Sequence, residues 1–303
     1  MKVLITGGNG FLGTYFVEQW KSQGHEIYTL GRAETNDIKD DLKNSIPRIN
    51  QQIDYVIHIA GKAHSVPKTK EEESDFYNVN VNGTSNLLKS LAHKNIKGFM
   101  FVSSVAVYGV KNGENISEDT NLAATDPYGK TKIDAEKMIL EWGLENNTII
   151  SIIRPPLIIG KNAPGNLGKM IAGIKNGRYV NIANGKAKRS VVLAEDIAFF
   201  SLKLITVGGI YNLTDGLDAS FEQLSNKITK AIGKGKVKNI PFWVANIIAK
   251  VGDLIEISLK KEAPFSTKKL KQMTTDLTFS SKKASEIGWR PRGIIENVDI
   301  YIS

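Results

Sequence analysis

The first thirty residues limit the fold more than any other part of the chain. Val3 to Thr6 is a short apolar run that meets Gly7-Gly8-Asn9-Gly10-Phe11-Leu12-Gly13 without a break. Leu12, Phe16 and Trp20 then recur every fourth residue, Gly24 follows, and Glu26 to Leu30 resumes a strand-like pattern. A period of two that changes to about 3.6 across a glycine cluster is a strand, a tight turn and a helix, and Gly24 is placed to stop that helix. Two strands joined through a helix lie parallel with a right-handed crossover, so the segment reads as one βαβ unit. Gly7 permits the bend, Gly10 lets backbone N–H groups approach an anion, and Gly13 lets the helix pack close to the sheet. The helix start at Phe11 and Leu12 then faces that anion, as a dinucleotide diphosphate requires. Read from Gly8 the residues also spell G-x-G-x-x-G, a weak signal alone that gains weight from its strand-and-helix setting.

Further strands are expected at Tyr55 to Ile59, Phe99 to Ser103 and Ile149 to Ile153, with helical patterns between them. This alternation predicts an α/β protein with a doubly wound parallel Rossmann sheet over residues 1–160. After Gly160 the sequence becomes glycine-rich, basic and irregular, which predicts a smaller α/β substrate-binding lobe over 161–303. A later strand and helix near 193–215 are expected to return to the first domain. Glu71-Glu72-Glu73 reads as a solvated helix start. Trp243, Ile247, Val251 and Leu254 form an apolar stripe at helical spacing, interrupted by Asn246, Lys250 and Asp253; it is too polar to span a bilayer and is expected as core or subunit contact.

Composition removes several classes of function. The chain of 303 residues has no cysteine, which excludes disulfides, thiolate catalysis and cysteine zinc sites. His25, His58, His64 and His93 lack an H-E-x-x-H spacing, and His58 sits in a strand where packing is the ordinary role, so no metal is expected. The net charge of +9 comes from lysines spread along the chain, read as solvated surface rather than a nucleic-acid stripe. Met1-Lys2-Val3-Leu4-Ile5 runs straight into glycines and leaves no room for a secretory leader, so a cytoplasmic location is expected.

Where an acid would hold the adenosine ribose, the second strand ends in Leu30-Gly31-Arg32. Gly31 leaves space and Arg32 offers a guanidinium to a 2′-phosphate, which favours NADP(H) over NAD(H); Glu34 nearby argues the other way. Tyr128-Gly129-Lys130-Thr131-Lys132 puts a phenol and an ammonium on one face at a helix start that Pro127 suits. One Tyr-x-x-x-Lys is expected about once by chance in such a chain, so the pair needs company. Phe101-Val102-Ser103-Ser104-Val105-Ala106-Val107-Tyr108-Gly109 supplies it at the C-terminal end of a parallel strand, where ligands bind in such sheets.

Gly7, Gly10 and Gly13, the Ser103 to Gly109 run, Tyr128 with Lys132, and Arg154-Pro155-Pro156 together resemble the NAD-dependent epimerase/dehydratase branch of the extended short-chain dehydrogenases, over nearly the whole chain. Asp41-Leu42, Ala60-Gly61 and Asn80-Val81-Asn82-Gly83-Thr84 agree. The resemblance implies that Ser104 polarises the substrate, Tyr128 exchanges a proton with a sugar oxygen, and Lys132 holds the nicotinamide ribose. It assigns the cofactor to Gly7, Gly10, Phe11, Leu12, Gly13, Arg32, Asp41, Leu42, Ala60, Gly61, Lys132 and Pro155. For this chemistry the phenol should be brought down from about 10 towards about 7 by nearby cations, namely Lys132 and oxidised nicotinamide.

By the same resemblance a UDP-sugar would meet Lys62, His64 and Ser104, Asn166 of Gly165-Asn166-Leu167 at the base, and Arg189 at the diphosphate. For Asn166 and Asp196 the structural alternative is a helix start, and for Asp196 that alternative is preferred. Pro155 to Gly160 and Gly61 to His64 look most like bacterial reductases of UDP-4-keto-6-deoxy-N-acetylhexosamines in surface-polysaccharide synthesis. An NADP(H)-dependent reductase is therefore the first expectation, a UDP-hexose 4-epimerase with tightly held NAD the second, and a non-catalytic dinucleotide sensor the third. A 4,6-dehydratase ranks lower, because Val105-Ala106 stand where such enzymes carry Asp-Glu. A homodimer is implied by the resemblance alone. The segment Ser281 to Pro291 is expected to be structural.

Overall fold

A computed structural model describes residues 1–63, 67–259, 263 and 265–297. The chain starts β1 (Lys2–Thr6), α1 (Phe11–Ser22), β2 (Glu26–Gly31), β3 (Ile38–Lys39) and β4 (Tyr55–His58). Gly24, at φ +75°, turns the chain from α1 into β2. α2 (Lys70–Tyr77) is capped by Thr69, which accepts from the Glu72 amide, and its first turn holds Glu71, Glu72 and Glu73, the sign the helix dipole favours. It continues through a π-helical stretch, Asn78–Asn82, into α3 (Gly83–Ser90) and then β5 (Gly98–Val102). β6 (Gly113–Ile116) precedes α4 (Pro127–Glu145), where Asp126 caps the Gly129 amide and Pro127 takes the first helical position. β7 (Ile149–Arg154) and β8 (Leu157–Ile159) complete the N-terminal half.

The second half runs α5 (Gly165–Lys175), β9 (Val180–Ile182), β10 (Lys188–Arg189), β11 (Val191–Leu193), α6 (Ala194–Val207), β12 (Gly209–Asn212), β13 (Ala219–Ser220) and α7 (Phe221–Ala231). Then come β14 (Lys238–Ile240), α8 (Phe242–Leu259), α9 (Thr267–Thr274), β15 (Leu277–Phe279), α10 (Lys282–Glu286) and α11 (Ile294–Asn297). All five expected strands are present.

Seven strands form one parallel sheet in the order β12-β7-β5-β4-β1-β2-β3. Alternate strand residues supply its two faces. Val3, Ile5, Ile57, Met100 and Ile153 pack against Phe16 and Trp20 of α1 and Ile197, Phe200 and Leu204 of α6. Leu4, Val56, Phe99, Phe101 and Ile152 pack against Leu87 and Leu88 of α3 and Ala135 and Ile139 of α4. Helices thus cover both faces, as an all-parallel sheet requires. Strand order reverses between β1 and β4, and the crevice at their C-terminal ends is where such sheets take ligands.

The smaller lobe has mixed short sheets: β13-β10-β15-β6, β11 beside β8, and β14 beside β9. Its core is built from Leu167, Met170 and Ile174 of α5, Leu224 and Ile228 of α7, and Val191 and Leu193. The tail returns to the first lobe, where Trp289 is buried in the sheet's core and donates from its indole to the Thr214 carbonyl at 2.8 Å. The first half of one expectation, core or subunit contact, fails here. The α8 stripe is not core: Ala245, Ala249 and Gly252 face inward, and Trp243, Ile247, Val251 and Leu254 are 53–66% exposed. Small residues took the buried face because a larger one would not fit; a Cβ on Gly252 would sit 1.8 Å from the Phe265 carbonyl oxygen.

Candidate active site

The glycine turn is as tight as its sequence implies. Gly7 has φ +71°, and a Cβ there would meet the Ala60 nitrogen at 2.8 Å; one on Gly13 would lie 2.0 Å from the Gly7 carbonyl oxygen. At Gly10 the only neighbour within 4 Å would be that same oxygen, at 3.2 Å, so its outer side is open. Gly10 caps α1 with no side-chain hydrogen bond, and the first amides of the helix face the crevice edge without a capping oxygen. Leu12 is buried in the core, and Phe11 packs edge-on against Tyr15, so what these two residues can give an anion is backbone N–H.

Tyr128, Ser104 and Lys132 come together at the C-terminal ends of β4 and β5. Ser104 caps a short 3-10 turn by accepting from the Ala106 amide, and its hydroxyl is near enough to the Tyr128 phenol to act on that group's charge. The Tyr128 ring is half-buried and meets Phe76 of α2 edge-on. One turn along α4, the buried Lys132 donates to the Val102 carbonyl at 2.9 Å and lies 4.5 Å from the centre of the Phe101 ring. Its ammonium reaches the Ala60-Gly61 loop, since a Cβ on Gly61 would be 3.3 Å from Nζ. The amide of the adjoining Ala60 is held by Thr6 Oγ1. Buried Pro155 ties the same region together, its carbonyl accepting from the Val105 amide at 3.3 Å.

The electrostatics correct one expectation. Burial pushes the Tyr128 phenol above its ordinary value; the Ser104 hydroxyl works against this, and Asp126 adds to it. Burial pulls Lys132 down to about 8, opposed by the charge of Glu136. The protein alone therefore does not lower the phenol, because desolvation outweighs the Ser104 hydroxyl.

Below this trio lies a buried polar chain that sequence reasoning passed over. Ser103 donates to Glu136 on α4, and Glu136 forms a two-pronged pair with Arg154, at 3.0 Å to Nε and 2.6 Å to Nη2. Arg154 donates to Tyr108, which donates to Asn212, which in turn donates to the Ile116 and Ser280 carbonyls. The signal for Glu136 was its place four residues after Lys132, on the face that α4 buries. Asn80, which the sequence marked only as part of the Asn80 to Thr84 run, accepts from the Lys62 amide at 2.7 Å and donates to Thr131 of α4 at 3.0 Å. His58 is a packed strand residue, between Thr6 and Thr84 hydroxyls, held neutral at about 3 by burial and then by Lys132.

The remaining candidates are more dispersed. Arg32 is exposed beyond β2, and Glu34 is turned away in an ion pair with Lys39. Asp41 spends its carboxylate on its own turn, accepting from the Lys43 amide and the Asn44 side chain, and Leu42 is buried in the core. Lys62 pairs with Asp75 at 2.6 Å, and Lys43 pairs with the same carboxylate. His64 lies outside the described residues. Asn166 is the exposed second residue of α5, and Pro164 holds the cap position, so Asn166 is not the cap. Arg189 is committed to main-chain carbonyls: Nη1 donates to Lys188 and Thr275, Nη2 to Gln272, and the guanidinium lies over Phe221. Asp196, in the first turn of α6, accepts from the Arg292 amide and side chain at 2.7 Å. Among the described residues no helix is long and apolar enough to cross a membrane.

Comparison with known proteins follows this geometry. A model of the NAD dependent epimerase/dehydratase family matches residues 3–214. The N-acetyl-alpha-D-glucosaminyl-diphospho-ditrans,octacis-undecaprenol 4-epimerase of Escherichia coli O157:H7 is 27% identical over 301 residues, covering 95% of this chain and 89% of that protein. A UDP-glucose 4-epimerase of Vibrio cholerae is 25% identical over 267 residues, covering 82% of this chain and 81% of its own. The solved structure of the Thermus thermophilus UDP-glucose 4-epimerase complexed with NAD superposes with a TM-score of 0.75 at 22% identity, over 100% of this chain and 98% of that one.

Proposed function

Because this chain belongs to the NAD dependent epimerase/dehydratase family, we propose that it inverts C4 of a hexose carried on a diphosphate, using a bound nicotinamide dinucleotide. The observation that carries the reading is the meeting of Tyr128, Ser104 and Lys132 beside the open glycine turn, in a chain whose relatives named above are 4-epimerases. Epimerisation, second on sequence alone, thus moves ahead of reduction.

The residues fit a dinucleotide. The outer side of Gly10 leaves room for a diphosphate against the Phe11 and Leu12 amides, and Gly61 leaves room beside Lys132. Asp41, Leu42, Ala60 and Pro155 are the proposed further contacts. A bound nicotinamide would supply the hydride acceptor and donor for C4, the hydride going back to the opposite face of the sugar carbon so that the configuration is inverted. Tyr128 takes the proton from the C4 hydroxyl and gives it back, while Ser104 donates to the sugar oxygen and fixes its distance from the phenol. Lys132 keeps a positive charge close to the phenol and holds the ribose. Burial raises the free protein's phenol, and a cationic ring bound beside it would favour its deprotonation. Lys62 and Arg189, with Asn166 and His64, are the proposed sugar and nucleotide contacts; Arg189 would have to exchange a carbonyl for the diphosphate.

A second reading is NADPH-dependent reduction of a UDP-4-keto-6-deoxy-N-acetylhexosamine, favoured by exposed Arg32 and by the removal of Glu34 to Lys39. Purified protein is incubated with UDP-glucose, UDP-N-acetylglucosamine, polyprenyl-diphosphate N-acetylglucosamine, or the keto sugar with NADPH. Conversion to the 4-epimer without net nicotinamide change supports the first reading. Stoichiometric NADPH consumption supports the second. Tyr128→Phe should lower kcat by about 10²–10⁴-fold in either case. Dinucleotide binding without turnover on any of these sugars would leave a sensor and refute both.

A further inference from the structure

Among the described residues the outer face of α8 has no partner. Eight of the eighteen large apolar side chains that stand exposed among the described residues lie on this one helix, including Trp243 at 66%, Leu254 at 63% and Ile257 at 76%. Scattered exposed apolar residues are ordinary, but a continuous strip this dense marks a surface that meets something apolar. The helix is already fixed to the body through Ala245 and Ala249 against Leu270 of α9, so the strip is not left over from poor packing.

Charge narrows what it meets. Residues 234–275 hold nine lysines and three acids, a net +6 out of the chain's +9. Both acids of α8 are used inside the protein: Asp253 accepts from the Thr267 amide at 2.9 Å and Glu256 from the Ala263 amide at 3.0 Å. Exposed Lys234, Lys236 and Lys238 lead into the helix, Lys250 rises within the strip, and exposed Lys268 and Lys271 flank it on α9. A nucleic acid would use the lysines and gain nothing from Leu254 and Ile257. A symmetric contact with a second copy would bring each +6 surface against itself. Only an anionic bilayer uses both features, its acyl boundary taking the apolar strip and its headgroups the lysines.

We propose that α8 docks this protein on the surface of an anionic phospholipid membrane, lying in the interface without crossing it. The inference does not depend on the identity of the sugar or on the direction of the redox chemistry. It does give the active site access to substrates anchored in that membrane, since the end of α9, which packs on α8, holds Arg189.

The test is flotation of the full-length chain through a density gradient with vesicles of phosphatidylcholine alone or mixed with phosphatidylglycerol. Wild type should rise with the phosphatidylglycerol vesicles and less so at high salt. Leu254→Glu, and separately Ile247→Gln as the milder change, should retain the wild-type Tm and dinucleotide binding. Leu254→Glu should lose about tenfold or more of the vesicle-bound fraction. Three results would overturn the proposal: no flotation of wild type, flotation unchanged in both variants, or a dimer by light scattering that Leu254→Glu splits while no vesicle binding is seen.

Discussion

Two regions of the molecule reverse the usual rule of burial in opposite directions. Under the Tyr128 hydroxyl, Lys132, Glu136 and Arg154 are each less than 5% exposed, while on α8 Trp243, Leu254 and Ile257 are 63–76% exposed. The first region hides charge, and for its acid and guanidinium the cost is offset within the fold: Glu136 and Arg154 pair in two places, and Ser103 and Tyr108 take their remaining valences. The second shows apolar surface to water, and nothing among the described residues offsets it. A buried pair satisfied from within fixes geometry, which suits a reaction centre. An exposed strip without internal compensation is a demand placed on something outside.

That contrast can be broken by substitution, starting with the largest effect. Arg154→Met should destabilise by about 3–5 kcal/mol, because Glu136 is left charged and buried; the double variant with Glu136→Leu should recover much of the loss. Urea unfolding measures both, and a silent single variant would mean that the pair is not structural. Lys132→Met should go the other way and raise stability at pH 7 by up to about 3 kcal/mol, while abolishing turnover. The sign follows from the lysine's fall from 10.5 to about 8: between these values the unfolded chain holds more protons, so wild-type stability rises with pH. The advantage of Lys132→Met should therefore shrink towards pH 10.5, and a gap constant from pH 7 to 10 would show that the lysine is not its source.

On α8 the two faces should respond differently. Gly252→Ala puts a Cβ within 1.8 Å of a carbonyl oxygen and should cost about 1–3 kcal/mol, read as a fall in Tm. Leu254→Gln, two residues on and on the open face, should move stability by no more than about 0.5 kcal/mol. Equal effects would mean that the strip is covered after all.

The glycine turn was legible because its requirements are local: Gly7 and Gly13 face backbone within a few residues or across one strand, and no side chain can substitute for hydrogen there. Tyr128 and Lys132 were legible for a similar reason, since one helix sets their spacing. Arg189 was not. Its three carbonyl partners include Thr275 and Gln272, more than eighty residues on, and only the folded lobe brings them to it. The α8 stripe misled in a different way. A helix with two candidate faces, one large and apolar, the other Ala245, Ala249 and Gly252, shows the same periodicity whichever face is buried.

The amino-acid order alone determined the parallel α/β framework and the glycine turn and singled out the candidate phenol, serine and lysine, because strand alternation, glycine sterics and helical spacing act over a few residues. Tertiary structure decided how those groups are charged, which polar residues support them, and which face of α8 remains in water. Burial, long-range pairing and close backbone approach depend on what arrives from distant parts of the chain, and no local pattern encodes that arrival.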